Sequence, residues 1–394
     1  MSKVGILTLY YKNDNYGGIA QAYALQKYIE NLNYESTLIS YRRTSPAMLV
    51  RDSFKKKPFK YVQGKFYKFP QKVMQRIEDK VAKYRFQKEL QSDMNKRRKA
   101  FEESRNRINH TETVYTDQTI GETVDLFDCF VSGSDQIWKP GVIRPPFVCT
   151  FLPDTKKRFS YASSIAVSNL SEDYGHFMKN ALAKYSWISV REEEARNYLS
   201  DLTNREVDVV VDPTLLLSNS EWNSMTSERK VNEDYIFVYL LGQSKKQRKE
   251  IQEYAKQKNL RIVFLPHVEG KIRACDINFG DICLYDVNLF DFFSLIKYSE
   301  MVITDSFHAV VFSLVFRKNF WVYEREVLQS NGNMGSRLNT LLNSTGLLDR
   351  KIQSIKYIQN ELEDKVINYA GVYEKLSPII EKSQWLLKNA LEMH

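Results

Sequence analysis

Residues 4–29 read Val-Gly-Ile-Leu-Thr-Leu-Tyr-Tyr-Lys-Asn-Asp-Asn-Tyr-Gly-Gly-Ile-Ala-Gln-Ala-Tyr-Ala-Leu-Gln-Lys-Tyr-Ile, and they decide the fold class. Val4–Leu9 is a short apolar run. Asn13, Asp14, Asn15, Tyr16, Gly17 and Gly18 follow as a turn, and Ala20, Ala24, Leu25 and Ile29 then recur at helical spacing. The pattern predicts strand, glycine turn, helix, the opening of a βα unit. Working outward, Thr37–Tyr41, Leu126–Val131, Phe159–Ala162, Trp187–Val190 and Val207–Val211 read as further strands of a first block. After Asp212-Pro213-Thr214, the polar stretch Ser218–Asp234 reads as a link. A second block follows, with strands expected at Tyr235–Leu241, Arg261–Leu265, Met301–Thr304 and Phe320–Tyr323. Helices are expected at Lys245–Gln257, at Asp291–Tyr298, after His308, and from Gly371 to Leu391. Two blocks of alternating strands and helices imply α/β architecture, with two doubly wound domains and parallel sheets. Such sheets bind ligands at the carboxyl ends of their strands, which puts the site in the cleft between the two domains.

Length agrees with two domains, because 394 residues exceed what one hydrophobic core usually supports. We expect a first domain over residues 1–217, a second over 230–349 and a helical tail over 350–394. With 43% hydrophobic and 13% aromatic residues the chain falls among ordinary globular proteins. No apolar run reaches the roughly eighteen residues that span a bilayer, and the first residues read as a strand rather than a signal peptide. Cys129, Cys149, Cys275 and Cys283 are too few and too scattered for a disulfide framework or a zinc site. The expected compartment is the cytoplasm.

Charge is uneven. Residues 51–109 hold nineteen Lys/Arg against seven Asp/Glu, a net +12, whereas the whole chain carries +9 and the remainder therefore −3. This basic segment interrupts the first block over about 46–115. Gln71–Ile108 reads as helical, with Val73, Ile77, Val81 and Tyr84 on one stripe that Leu90, Met94 and Phe101 loosely continue. Phe54, Phe59, Tyr61, Phe66, Tyr67 and Phe69 are interleaved with its lysines. A basic patch implies an anionic partner, and interleaved aromatics suit a membrane interface. The expectation is peripheral contact with the anionic inner face of a membrane, or with a lipid diphosphate. The alternative is a solvated insertion whose aromatics complete the first core. Nucleic acid is the weakest of the anionic partners, because the helix carries no recognised motif.

Five places could carry chemistry. Asp14-Asn15-Tyr16-Gly17-Gly18 sits at a helix start, where glycines permit close backbone approach and the helix end favours anions. Its spacing is not that of a dinucleotide fingerprint, and a plain βα turn is the competing reading. Ser134-Asp135-Gln136, just after the Leu126–Val131 strand, offers hydroxyl, carboxylate and amide to a polyol; a capped turn beside a core tryptophan is the alternative. Arg191 falls where a strand meets an acidic helix and could clamp two oxygens at once, or simply pair with Glu193 or Glu194. Thr304-Asp305-Ser306-Phe307-His308 puts a histidine at a strand's carboxyl end, placed for acid–base work, or leaves it passive beside a helix cap. Met334-Gly335-Ser336-Arg337 precedes a periodic helix; Ser336 could be its N-cap and Arg337 either a second anion clamp or a surface residue.

Taken together, GILTLYYKNDNYGGIAQAYALQKYI, FVSGSDQIW, RFSYASSIA, WISVREEEA, VVVDPTLLL and VITDSFHAVVFSLVFRKNFWVY resemble the polysaccharide pyruvyl transferase family, in that family's order and over nearly the whole chain outside residues 46–115. The resemblance implies two facing Rossmann-like domains arranged as in GT-B glycosyltransferases, with a C-terminal helix packing back on the first. It implies transfer of a pyruvyl group from phosphoenolpyruvate to a sugar as a ketal during cell-surface polysaccharide synthesis. Phosphoenolpyruvate then serves as co-substrate, with no cofactor and no metal, and the acceptor is a sugar carried on a lipid diphosphate. His308 matches the family's general acid and Arg191 its donor-contacting arginine. Some members carry an arginine two residues before the histidine. Ser306 stands there, which leaves Arg337 to supply that charge. Gly17 and Gly18 fall on the donor side, and Asp14, Asn15, Tyr16, Ser134, Asp135 and Gln136 on the acceptor side. A nucleotide-sugar glycosyltransferase of the same architecture is the competing enzyme, and a catalytically silent polysaccharide-binding protein the competing non-enzyme.

Overall fold

A computed structural model describes residues 1–44, 69–166, 170–267, 273–325, 335–356 and 365–392. Strands β1 (Lys3–Leu7), β2 (Glu35–Leu38), β3 (Cys129–Ser132) and β4 (Lys157–Ser160) form a parallel sheet in the order β2-β1-β3-β4. Beside β4 lie the short parallel pair β5 (Ser189–Val190) and β6 (Asp208–Val209). Two serines join this pair to the sheet. Ser189 N donates to Ser160 Oγ at 2.9 Å, and Ser189 Oγ donates to the Ser160 carbonyl at 2.7 Å. The second sheet is parallel throughout. Its strands are β7 (Tyr235–Tyr239), β8 (Arg261–Phe264), β9 (Ile282–Cys283), β10 (Met301–Thr304), β11 (Asn319–Tyr323) and β12 (Lys351–Ile352), in the order β12-β11-β10-β7-β8-β9. β7 is buried at all five positions, as expected of a parallel strand covered on both faces.

Ten helices complete the described chain: α1 (Tyr16–Asn31), α2 (Phe69–Asn106), α3 (Glu172–Leu182), α4 (Glu193–Thr203), α5 (Asn219–Met225), α6 (Lys245–Gln257), α7 (Leu289–Lys297), α8 (Phe307–Val315), α9 (Ser336–Thr345) and α10 (Tyr369–Glu392). In each sheet the strand order reverses beside the first strand, between β1 and β3 and between β7 and β10. At such a reversal the flanking helices leave to opposite faces and a crevice opens at the strand ends.

One hydrophobic cluster runs through both sheets' helices. Tyr16 of α1 stacks on Phe292 of α7, with ring centroids 4.6 Å apart and planes 7° from parallel, and its hydroxyl donates to the Val287 carbonyl at 2.9 Å. The Ser218–Asp234 stretch is more than a link. Ser218 caps α5 in a reciprocal capping box with Glu221. The fully buried Trp222 sits 5.0 Å from the rings of both Phe293 and Phe312. Helix α10 bridges as well. Tyr369 and Tyr373 donate to carbonyls of Ser313 and Leu314 near its start, while Ser383 accepts from Val211 N and Gln384 donates to Leu216 O further along.

The expected single stripe on α2 is two. Phe101 is buried, with Arg97 over its ring at 4.9 Å, whereas Val73, Ile77, Val81 and Tyr84 are exposed. At 3.6 residues per turn the two sets are centred roughly 115° apart, so one face cannot bury both. Phe54, Phe59, Tyr61, Phe66 and Tyr67 lie outside the described residues, as does Met334.

Candidate active site

Four strand ends converge. The turn after β1 supplies Asn15, the turn after β3 supplies Asp135 and Gln136, the turn after β7 supplies Leu241, and the turn after β10 supplies Asp305, Ser306 and His308. All seven residues line one cavity of about 160 Å³, closed on its far side by Arg325, Arg337 and Lys351. A second chamber of about 410 Å³ shares Asn15, Asp135, Gln136, Leu241 and Arg325 with it and is walled by Tyr10, Tyr11, Tyr41, Asn13, Arg43 and His267. The inner chamber carries charge of both signs, with Arg325, Arg337 and Lys351 set beside Asp305, Asp135 and Glu324. The outer one is polar and aromatic, a surface that suits a sugar's alternating hydroxyls and C–H faces.

His308 opens α8 and is 8% exposed. It sits far deeper than a strand-end position suggests, because α1 packs directly on it. A Cβ placed on Gly17 would lie 2.0 Å from His308 Nδ1. Glycine is required at 17 by close approach across the cleft, and not by backbone conformation. His308 Nε2 lies 3.6 Å from Asp212 Oδ2 and has no hydrogen-bond partner among the described residues. Asp212 itself is buried. Burial opposes its charge, but Arg191 and His308 outweigh burial and hold its carboxyl far below the usual range. The carboxylate at this distance fixes which edge of the ring faces it.

Arg191 is also buried, and it pairs with neither Glu193 nor Glu194. One guanidinium nitrogen meets Asp212, another meets Asp135 Oδ1 at 3.2 Å, and its Cζ sits 4.8 Å over the Phe307 ring. Burial opposes its charge, yet Asp212 and Asp135 more than offset this and its pKa ends above the ordinary value. Arg191 does not line either chamber. It lies beneath the site and orients the two carboxylates. Arg337 does line the inner chamber. It approaches Asp135 Oδ1 at 3.6 Å and Phe307 at 5.6 Å, and with its amide oxygen turned inward Gln136 accepts from Arg337 Nη1 at 3.2 Å. Burial, followed by the repulsion of Arg191, lowers the Arg337 pKa to about 10. Its Nε has no hydrogen-bond partner among the described residues. Gly335, rather than Ser336, takes the N-cap position of α9.

Asp135 joins the two arginines. Its backbone is left-handed at φ 65°, and the preceding Gly133, at φ 134°, leaves no room for a side chain, since a Cβ there would lie 2.1 Å from the Tyr161 carbonyl. Burial raises the Asp135 pKa and Arg191 lowers it, with a net lowering. Ser134 is turned away from the cleft: its hydroxyl donates to the Ala162 carbonyl at 3.0 Å and its amide to Gln21 at 3.2 Å. Tyr16 is in the core, as described. Asp14 pairs with Arg105 at 2.7 Å, and Gly18 N donates to Asn15 Oδ1 at 3.3 Å, capping α1. Asn15, Asp135, Gln136, Ser306, His308 and Arg337 therefore meet at the cavity, Gly17 abuts it, and Asp14, Tyr16, Gly18 and Ser134 support it from outside.

The model of the polysaccharide pyruvyl transferase family matches residues 15–326, most of the chain. The chain belongs to that family. No curated protein matches it in sequence. Solved structures share the fold of this pyruvyl transferase family member. The UDP-GlcNAc 2-epimerase of Neisseria meningitidis, bound to UDP-GlcNAc, superposes with a TM-score of 0.52 at 10% identity, covering 99% of each chain. A glycosyltransferase of Rickettsia africae superposes with a TM-score of 0.52 at 11% identity, covering 100% of this chain and 99% of its own. The architecture is accordingly GT-B-like, with two facing α/β lobes and the cleft between them.

Sequence reasoning passed over Arg325 and Lys351 of this transferase's inner chamber and weighed Asp305 only as part of a helix cap. Asp305 accepts from Leu241 N and Gly242 N at 2.6 Å each, which pins the β7 turn to the β10 turn. Arg325 donates to the Asp305 carbonyl at 2.9 Å. Lys351 pairs with Glu324 at 3.0 Å. Arg325 falls just past β11, and the rule that sites gather at strand ends points to it. Lys351 begins the two-residue strand β12, whose pattern is too short to read.

Proposed function

We propose that this protein transfers a pyruvyl group from phosphoenolpyruvate to two hydroxyls of a sugar, forming a ketal in the synthesis of a cell-surface polysaccharide. The observation that carries the reading is the inner chamber, which Arg325, Arg337 and Lys351 line together with His308. A donor with a phosphate and a carboxylate wants several cations, and an enol phosphate protonated at its methylene carbon wants an acid. His308, backed by ionised Asp212, gives a proton to the donor's methylene carbon, which becomes a methyl group. The neighbouring carbon gains oxocarbenium character. One sugar hydroxyl attacks it and releases its proton to the imidazole. The second hydroxyl displaces phosphate, which leaves with the second proton, and the ring closes. The tyrosines of the outer chamber position the sugar, and Arg43 at its wall would meet the diphosphate of a lipid-linked acceptor. Catalysis then rests on orientation and on electrostatic stabilisation of phosphate departure.

The test incubates the purified protein with phosphoenolpyruvate and candidate lipid-linked sugars, and follows phosphate release and product mass. The expected product is the acceptor with one pyruvyl ketal. His308→Ala should lower turnover by about 10²–10⁴-fold. Release of a nucleoside diphosphate from a nucleotide sugar, with none of phosphate from phosphoenolpyruvate, would replace this reading with glycosyl transfer.

A further inference from the structure

The amino-terminal half of α2 presents an apolar face to solvent. Val73, Met74, Ile77, Val81 and Tyr84 are 39%, 63%, 54%, 59% and 92% exposed. At about 100° per residue all five fall within an arc of about 100°. Such a face on a solvated helix needs an occupant. The charged residues around it are arranged by sign. Arg76, Lys80 and Lys83 lie along one border of the arc, Arg85 beyond the other, and Lys88 within it, all exposed. The acids of the same turns point the other way. Glu78 pairs with Lys245 at 2.9 Å, and Asp79 accepts from Ala274 N at 2.9 Å. Ala82, on that inward side, is buried. So α2 is fixed to the second lobe by one face and offers the opposite face, apolar with a basic border, to solvent.

We infer that this face of α2 docks the protein on an anionic lipid surface, with the apolar arc entering the headgroup boundary and the basic border meeting lipid phosphates. The arrangement is that of a helix lying in a membrane interface. No helix among the described residues is long and apolar enough to cross a bilayer, so the helix lies on the surface rather than spanning it. A second copy of the chain is the other occupant to weigh. Two-fold pairing would set Lys80 and Lys83 against a like-charged border, whereas an anionic surface neutralises it. The inference concerns α2 alone and stands apart from the chemistry assigned to the cleft.

Co-sedimentation of the full chain with vesicles tests it. Vesicles of phosphatidylglycerol should bind the protein at low salt and vesicles of phosphatidylcholine should not. Raising salt from about 50 to about 500 mM should weaken binding by at least about tenfold. Lys80→Ala with Lys83→Ala should weaken it about 30-fold, from the usual attraction per basic residue. Ile77→Ser with Val81→Ser should weaken it about tenfold at unchanged charge. Both variants alter exposed side chains, and a thermal melt unchanged from wild type shows that they fold. Absence of binding to phosphatidylglycerol at low salt overturns the inference. So does binding that both variants retain in full. A dimer in sedimentation velocity that Ile77→Ser with Val81→Ser converts to monomer, without any vesicle binding, assigns the face to a second copy and overturns it as well.

Discussion

Replacing Gly17 by alanine adds one methyl group at the tightest contact of the cleft. The new carbon would lie 2.0 Å from His308 Nδ1, 2.3 Å from Cγ and 2.6 Å from Cε1, while ordinary contact begins near 3.4 Å. The ring must therefore retreat by 3.4 − 2.0 = 1.4 Å, or the lobes must part by as much. A misplacement of about 1 Å at a reacting group costs about 10²-fold in rate, so Gly17→Ala should lose at least that much kcat/KM. The fold should survive. Gly17 has no positive φ, alanine raises helix propensity by up to about 1 kcal/mol over glycine, and the obstructing group is a side chain that can swing. Phosphate release from phosphoenolpyruvate is the assay, alongside a thermal melt. Gly121→Ala is the control, because nothing lies within 4 Å of a Cβ at that position. Expected is a melting temperature close to wild type with activity down a hundredfold or more, and a control that behaves as wild type. Gly17→Ala within about threefold of wild-type kcat/KM would refute the idea that this contact sets the position of His308.

Two other perturbations separate the buried charges from the exposed chemistry. Asp212→Asn leaves Arg191 without its main counter-ion, and breaking a buried pair from one side costs about 3–5 kcal/mol, which chemical denaturation would read. Because the folded pKa of Asp212 is depressed, its contribution is present above the unfolded value of about 3.9 and fades as pH falls below it; wild type should lose stability over that window more steeply than Asp212→Asn. Arg337, held at about 10 by burial and by Arg191, keeps its charge at neutral pH and sheds it as pH rises past that value. The donor KM should climb above about pH 10 in the wild type, and Arg337→Lys should raise it at neutral pH through loss of the planar fork; a donor KM indifferent to both places the clamp elsewhere.

The sequence made the site's loops legible because each belongs to a strand-turn-helix unit whose apolar run and turn residues are adjacent in the chain. Val4–Gly18, Val131–Gln136 and Val302–His308 could be read locally, and a parallel sheet does the rest by aligning their carboxyl ends. Arg191 shows where local reading stops. Its partners, Asp135 and Asp212, are 56 and 21 residues away, while Glu193 and Glu194 beside it in sequence face elsewhere; Glu193 pairs with Arg196 at 2.8 Å. Spacing could not distinguish an arginine aimed at substrate from one locked under it. The serines of the Ser160–Ser189 junction and Trp222 in the polar Ser218–Asp234 stretch were hidden for the same reason, since their roles are fixed by neighbours on other elements. The α2 stripe was visible as a period, but a period does not say whether its apolar side meets a core or the solvent.

Helix α10 and the shared core have a consequence for how such an enzyme can be altered. The two lobes are not interchangeable modules. Tyr16 of the first lobe completes an aromatic stack whose other rings lie in the second, and α10 is bonded to carbonyls at Ser313 and Leu314 near one end and at Leu216 further along. A chimera that joined one lobe to a foreign partner would inherit a mismatched seam in addition to a new cleft. On the proposed reading, in which the outer chamber holds the sugar, new acceptor preference is more readily reached by changing its walls, at Tyr11 or Arg43, where the residues line the cavity and the seam is left intact. In a lineage of such enzymes, diversity of product would accumulate in loops of a few residues, with the two lobes inherited together as one indivisible unit.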